Sequence, residues 1–212
     1  MRVNTMQTNV RASRLAMAIA GAMAAVLPLA AAAQTVERQD DGVIVRPADA
    51  AAADVRLQLV GDRIVRVSAD PDGDFKRSPS LMRVPSTGAA PAFKLEQTGT
   101  AVRLSAAGIS AEVALDNGQV SFFDAQGKPL VAETAGARTF TSTTFEGTPY
   151  YSVRQRFQSP DDESFYGTGL HQQGWMDLKN RDVELLQHNI DNGIPYLVSS
   201  RNYGILWDNN SI

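Results

Sequence analysis

Short stretches of alternating apolar and polar residues, each closed by a turn signal, constrain this chain more than any other feature. Val55, Leu57 and Leu59 alternate with Arg56 and Gln58, Gly61-Asp62 turns the chain, and residues 64–67 return. Residues two apart share a strand face, so this alternation builds a sheet with one apolar side. Residues 43–45, 93–95, 102–104 and 109–115 read as strands in the same way. Asp116-Asn117-Gly118 turns into a strand at 120–123, Gln126-Gly127 into one at 129–131, and Arg201-Asn202 joins strands at 196–199 and 204–207. Such dipeptides supply the backbone conformations that hairpin turns need. Tyr151, Val153, Gln155 and Phe157 share one face of a further strand, and short strands are expected at 183–187 and at 81–84, the latter inside a long loop from 70 to 91. Outside the leader no window carries helical apolar spacing. The expectation is an all-β fold, a β-sandwich of antiparallel sheets. The lack of an internal repeat argues against a propeller or solenoid.

The first 33 residues read differently. Arg2, Arg11 and Arg14 give a positive start without acidic residues, residues 15–29 are apolar, and Ala31-Ala32-Ala33 presents the small residues that a signal peptidase reads. A signal peptide at 1–33, cleaved before Gln34, is therefore expected, with a periplasmic or secreted destination. A membrane span needs about 18 or more apolar residues, which here would have to run through Pro28 and the alanines, so no membrane association is expected after cleavage. Residues 34–212 are expected to be one domain, starting with a polar arm at 34–42. This stretch is too short for a (β/α)₈ barrel, which takes about 250 residues. With no cysteine in the sequence, burial has to supply the stability that disulfides give many exported domains. A net charge of −3 with both signs interspersed gives no electrostatic grip for nucleic acid. The chain stops just after a strand, from which continuation into a longer protein is expected.

Residues 163–189, ESFYGTGLHQQGWMDLKNRDVELLQHN, hold both histidines, a tryptophan and a Gly-x-Gly. A phosphate loop does not fit, because a dinucleotide fingerprint would place its third glycine at Gln172 and open a helix. The glycines suit a bend or a close backbone approach. His171 and His188, with Asp177, Asp182 or Glu184, contain zinc-ligand chemistry, yet their separation matches no compact ligand pattern, and no metal or cofactor is expected. Nucleophilic catalysis lacks both a cysteine and a G-x-S-x-G elbow. Asp177, Asp182, Glu184 and Asp191 are close enough in sequence for a carboxylate pair, which a retaining glycosidase needs about 5–5.5 Å apart. Solvent-facing edges and turns account for most of them equally simply. Trp175 and Trp207 fit either a sugar-stacking surface or a core.

Four blocks, taken in order, carry a resemblance. They are FYGTGLHQQG at 165–174, VELLQHN at 183–189, IPYLVSS at 194–200 and YGILWDN at 203–209. Together they resemble the N-terminal domain of glycoside hydrolase family 31, in wording most similar to bacterial α-xylosidases acting on xyloglucan oligosaccharides, with α-glucosidases next. The resemblance implies a galactose-mutarotase-like sandwich that supports a catalytic barrel, and a retaining mechanism without a cofactor whose two aspartates belong to that barrel. No catalytic residue is therefore assigned here. Trp175-Met176-Asp177 is superficially similar to the family's nucleophile motif, but Leu178-Lys179-Asn180 follows where Met-Asn-Glu is required. The resemblance also implies one pocket-edge loop, an Asn-x-Asp before a Pro-aromatic strand, which falls on Asn189 and Asp191 ahead of Pro195-Tyr196. Both would hydrogen-bond sugar hydroxyls of an oligosaccharide held by the absent barrel. Gln187-His188 stands where the α-glucosidase form has an aromatic residue. The alternative expectation is a free-standing carbohydrate-binding sandwich without catalysis.

Overall fold

The computed structural model describes residues 34–75, 80–84 and 91–208. The expected signal peptide lies outside the described residues, all of which fall in the unit formed by Ala31–Ile212. All regular structure among the described residues is β, in fourteen strands. A four-stranded sheet takes β1 (Thr35–Gln39), β2 (Gly42–Arg46), β3 (Asp54–Gly61) and β4 (Ile64–Asp70) in that order. A five-stranded sheet takes β5 (Lys94–Gln97), β6 (Ala101–Ser105), β7 (Ile109–Ala114), β8 (Val120–Asp124) and β9 (Pro129–Ala132). Every pairing is antiparallel between chain neighbours, as hairpin-length connections require.

The apolar faces of these two sheets make the core. Register sets Val43 opposite Leu57 and Val45 opposite Val55 in the first sheet, and Val102 opposite Val113 and Leu104 opposite Ala111 in the second. All eight are fully buried and, with Leu59, Leu115 and Val120, form one cluster. Each buried Val or Leu contributes about 1.5–3 kcal/mol, so this cluster replaces the missing disulfides as the source of stability. Gly42 marks how tightly β2 meets β3, since a Cβ there would overlap the Leu57 carbonyl oxygen.

Two smaller sheets complete the domain. β10 (Thr139–Phe145) and β11 (Thr148–Arg154) form a ribbon, and β12 (Phe165–Leu170), β13 (Asn192–Ser199) and β14 (Tyr203–Leu206) form a three-stranded sheet. The latter is fastened to the sandwich where it ends. Asp208 lies 3.2 Å from the Arg66 guanidinium of β4, and its other oxygen accepts from Ser80 Oγ at 2.8 Å.

Several strand expectations need correction. Residues 34–42 are not an arm throughout, because β1 adds an edge strand to β2. Residues 81–84 form bends, not a strand, and 183–187 are irregular. β11 stops at Arg154, and Phe157 makes only an isolated bridge with Glu133.

Candidate functional site

The glycine-rich block becomes β12, and its glycines serve the close approach expected of them. Gly167, Thr168 and Gly169 all have positive φ, at 106°, 65° and 101°, where the register of β12 on β13 shifts. A Cβ at Gly169 would overlap the carbonyl oxygen of Asn192, and one at Gly167 would sit 2.6 Å from that of Tyr196. Side chains at these positions would push the two backbones apart and move the turn just before Asn192.

Between β12 and β13 the chain makes a long excursion, hooked at Asp177. Its Oδ1 accepts from the backbone N–H groups of Lys179 at 2.9 Å and Phe165 at 3.1 Å, while Leu178 N–H donates to the Phe165 carbonyl at 2.8 Å. The Lys179 N–H foremost, then the Ser164 hydroxyl and the Phe165 N–H, hold the Asp177 carboxyl below the usual carboxylate range. An exposed carboxylate fixed by main-chain donors organises a loop and is poorly suited to taking up a proton. Lys179 extends the hook through Nζ, which donates to Ser159 Oγ at 2.5 Å and the Pro160 carbonyl at 2.6 Å.

The excursion encloses a hollow of about 210 Å³ whose lining includes His171, Trp175, Asp182, Glu184, His188 and Asp191. His171 is turned back on its own strand, with Nε2 2.9 Å from the Thr168 carbonyl and 3.3 Å from its hydroxyl. His188 Nε2 stands 3.6 Å from Asp191 Oδ2, and the His188 N–H donates to the Asp191 carbonyl at 3.4 Å, closing a tight turn. Among the described residues no three His, Cys, Asp or Glu side chains converge as metal ligands. Trp175 is 43% exposed, and the Arg181 guanidinium lies 5.0 Å from its ring centroid.

Of the two residues expected at a sugar pocket, Asp191 lies in the hollow, whereas Asn189 sits on the exposed turn outside its lining. The Asp191 side chain is only 17% exposed, and its Oδ1 is buried without a hydrogen-bond partner. A buried acceptor left unpaired costs about 1–3 kcal/mol, which a hydroxyl donor would recover.

Sequence reasoning missed a second buried carboxylate. Glu163, 2% exposed, accepts from Ser199 Oγ and, at 2.5 Å, from the Tyr203 hydroxyl, joining the approach to β12 with β13 and β14. Burial first, and then the hydrogen bond to Glu163, push the Tyr203 phenol above its ordinary range. A lone Glu in a polar linker carried no signal that Ser199 and Tyr203 would meet it.

One face of the small sheet is bare. Register sets Tyr166 opposite Val198 and Tyr196 opposite Leu206, and with Ile194 these side chains are 37–48% exposed. Five large apolar side chains at one-strand or two-residue spacing make a contiguous patch, which in soluble proteins usually marks a surface that another body covers.

The architecture thus defines an antiparallel all-β sandwich with an appended small sheet, uncovered on one side, and a polar hollow in the excursion between its first two strands. Residues 54–211 match the glycosyl hydrolase 31 N-terminal galactose mutarotase-like domain, and the chain belongs to that family. A family 31 α-xylosidase from Xanthomonas citri superposes with a TM-score of 0.80 at 58% identity, over 83% of this chain and 19% of its own length. A soil-metagenome family 31 α-xylosidase, solved with xylose, gives 0.65 at 26% identity, over 82% of this chain and 28% of its own. An α-xylosidase of Saccharolobus solfataricus is 31% identical over 74% of this chain and 22% of its own length. The chain therefore spans well under a third of each of these relatives, and what it shares with them is the N-terminal domain of an α-xylosidase-like glycosidase.

Proposed function

We propose that residues 34–212 form the supporting N-terminal domain of an exported retaining α-glycosidase, an α-xylosidase in the first place, that cleaves O-glycosyl bonds of an oligosaccharide. The two catalytic carboxylates belong to a barrel outside this domain, and Asp191, with Asn189 beside it, lends a polar edge to that barrel's sugar pocket. The observation that carries this reading is the buried, unpaired oxygen of Asp191 in a hollow lined by polar side chains. A barrel closing over the hollow would desolvate it, and a sugar hydroxyl would supply the donor that Asp191 lacks. The bare apolar face of the three-stranded sheet offers a separate surface for the barrel to rest on. The leader at 1–33 supports export to the periplasm or beyond.

The test is a domain graft. Residues 34–208 replace the matching domain of the Xanthomonas citri α-xylosidase, and aryl α-xyloside hydrolysis is compared between graft and isolated chain. The graft is expected to turn over and the isolated chain to be inactive. Asp191→Asn in the graft should raise KM about 10- to 100-fold, the equivalent of a charge-assisted hydrogen bond of about 1.5–3 kcal/mol. Turnover by the isolated chain, or an unchanged KM in a folded Asp191→Asn graft, would refute the proposal. Tight binding of oligosaccharide by the isolated chain would instead make it a free-standing binding module.

A further inference from the structure

We propose that His188 is the positioning residue of Asp191, fixing the rotamer and carboxyl plane that are presented to the sugar; this rests on the reading of Asp191 as a sugar contact. The two residues are three apart in a turn closed by the His188 N–H on the Asp191 carbonyl at 3.4 Å. That turn brings the imidazole Nε2 to 3.6 Å from Oδ2. Oδ1, on the other side of the carboxyl, is buried and unpaired. The imidazole is half exposed and the carboxyl mostly covered, at 53% and 17%. The carboxylate therefore has one oxygen with a cationic or N–H-bearing neighbour and one held open for a donor. Among the described residues no side-chain hydrogen bond fixes this carboxyl, and His188 is the one ion-pair partner beside it, so without the imidazole its plane is free to turn.

The other titratable groups lining the hollow do not take this place. His171 already faces the Thr168 carbonyl and hydroxyl, and Asp182 and Glu184 carry the wrong charge to attract a carboxylate. Trp175 has the Arg181 guanidinium over its ring. An aromatic residue at 188 would cover the same turn but leave Oδ2 without a polar partner. The residue at 188 would thus separate two ways of building this edge, one with an oriented carboxylate and one with a ring wall.

The experiment has two arms. In the 212-residue chain, the Asp191 side-chain rotamer and carboxyl carbon shift are read by NMR in wild type, His188→Phe and His188→Gln. One fixed rotamer is expected in wild type and His188→Gln, with averaging in His188→Phe. A wild-type Asp191 side chain that already averages between rotamers overturns the proposal, a reading that needs no variant to fold, and so does one equally ordered in all three proteins. In the domain graft, His188→Phe should raise KM about fivefold or more with kcat within twofold, and His188→Gln should restore most of the loss. Coupling by NMR together with an unchanged KM in Asp191→Asn would leave the positioning intact and remove the sugar contact instead.

Discussion

At the scale of single residues, the carboxylates of this domain separate by what they are attached to. Asp177 is held by main-chain N–H groups, Glu163 by two hydroxyls on one oxygen, and Asp191 faces a single imidazole, while Glu163 and Asp191 each keep one buried oxygen unpaired. Tyr203 allows the second arrangement to be tested. Its folded pKa is raised, so its contribution is fully present below the ordinary tyrosine value of about 10 and is lost as pH rises further. Tyr203→Phe should cost about 2 kcal/mol at neutral pH, as expected for a hydrogen bond to a carboxylate. That difference from wild type should shrink above about pH 10, read by urea denaturation; a difference independent of pH would remove Glu163 as the cause. Gly169→Ala should cost on the order of 3 kcal/mol, because a methyl group there meets the Asn192 carbonyl in a backbone conformation that alanine rarely adopts. Equal thermal stability of Gly169→Ala and wild type would mean that the β12 bulge can relax. Some of this was legible in the sequence. The glycines announced a close approach, and the family resemblance pointed to Asn189 and Asp191 as a pocket-edge loop. The pairing of His188 with Asp191 was not legible, because a three-residue separation brings side chains together only when the turn closes, and nothing local dictated that it would.

Among the elements, strands were readable wherever one face is buried and the other wet. β2, β3, β6 and β7 all show that contrast and all were expected. β10 reads Thr-Phe-Thr-Ser-Thr-Thr-Phe and is exposed along nearly its whole length, so it offers no contrast to detect. β1 is a polar edge strand and was hidden for the same reason. Residues 183–187 have strand composition but pair with no strand. Their backbone instead packs over Gly193, with Leu185 Cα 3.2 Å from where a Cβ would stand. The ribbon of β10 and β11 is tied to the sandwich at its base by Glu133, whose Oε1 lies 2.5 Å from the Arg138 guanidinium and whose Oε2 accepts from Val120 N–H at 3.0 Å. Burial raises the Glu133 pKa, against the opposing pull of Arg138 and the Val120 N–H. Its contribution is therefore fully present below the ordinary glutamate value and declines as pH rises through the raised folded value. Glu133→Gln keeps an acceptor for only one of the two partners, a cost that does not vary with pH, and cannot titrate. The stability difference should accordingly move in favour of the wild type as pH falls from 7 toward about 4.3, measured by urea unfolding at stepped pH. A constant difference across that range would show that burial does not govern this carboxyl.

For the molecule as a whole, the two halves of the domain are built on different terms. The nine-stranded sandwich closes over a core of buried valines, leucines and an alanine, whereas the three-stranded sheet leaves Ile194, Tyr196, Val198, Leu206 and Tyr166 facing outward, with Leu185, Leu186 and Met176 exposed in the adjoining excursion. Burying apolar area is worth about 25 cal/mol per Å², so a patch of several such side chains is a standing drive toward association. A chain stabilised by its own core should keep its fold while that patch stays adhesive. Residues 34–212 alone should therefore give a cooperative unfolding transition yet bind an apolar-surface dye and self-associate as concentration rises. Tyr196→Ser with Leu206→Ser should reduce both dye binding and association, since neither residue belongs to the sandwich core. In the domain graft the same patch should be silent, and dye binding should fall to the level of the parent α-xylosidase. If the isolated chain is monodisperse and dark to the dye, or if the graft stays as bright as the free domain, then no barrel covers this face and the supporting role assigned to the domain fails with it.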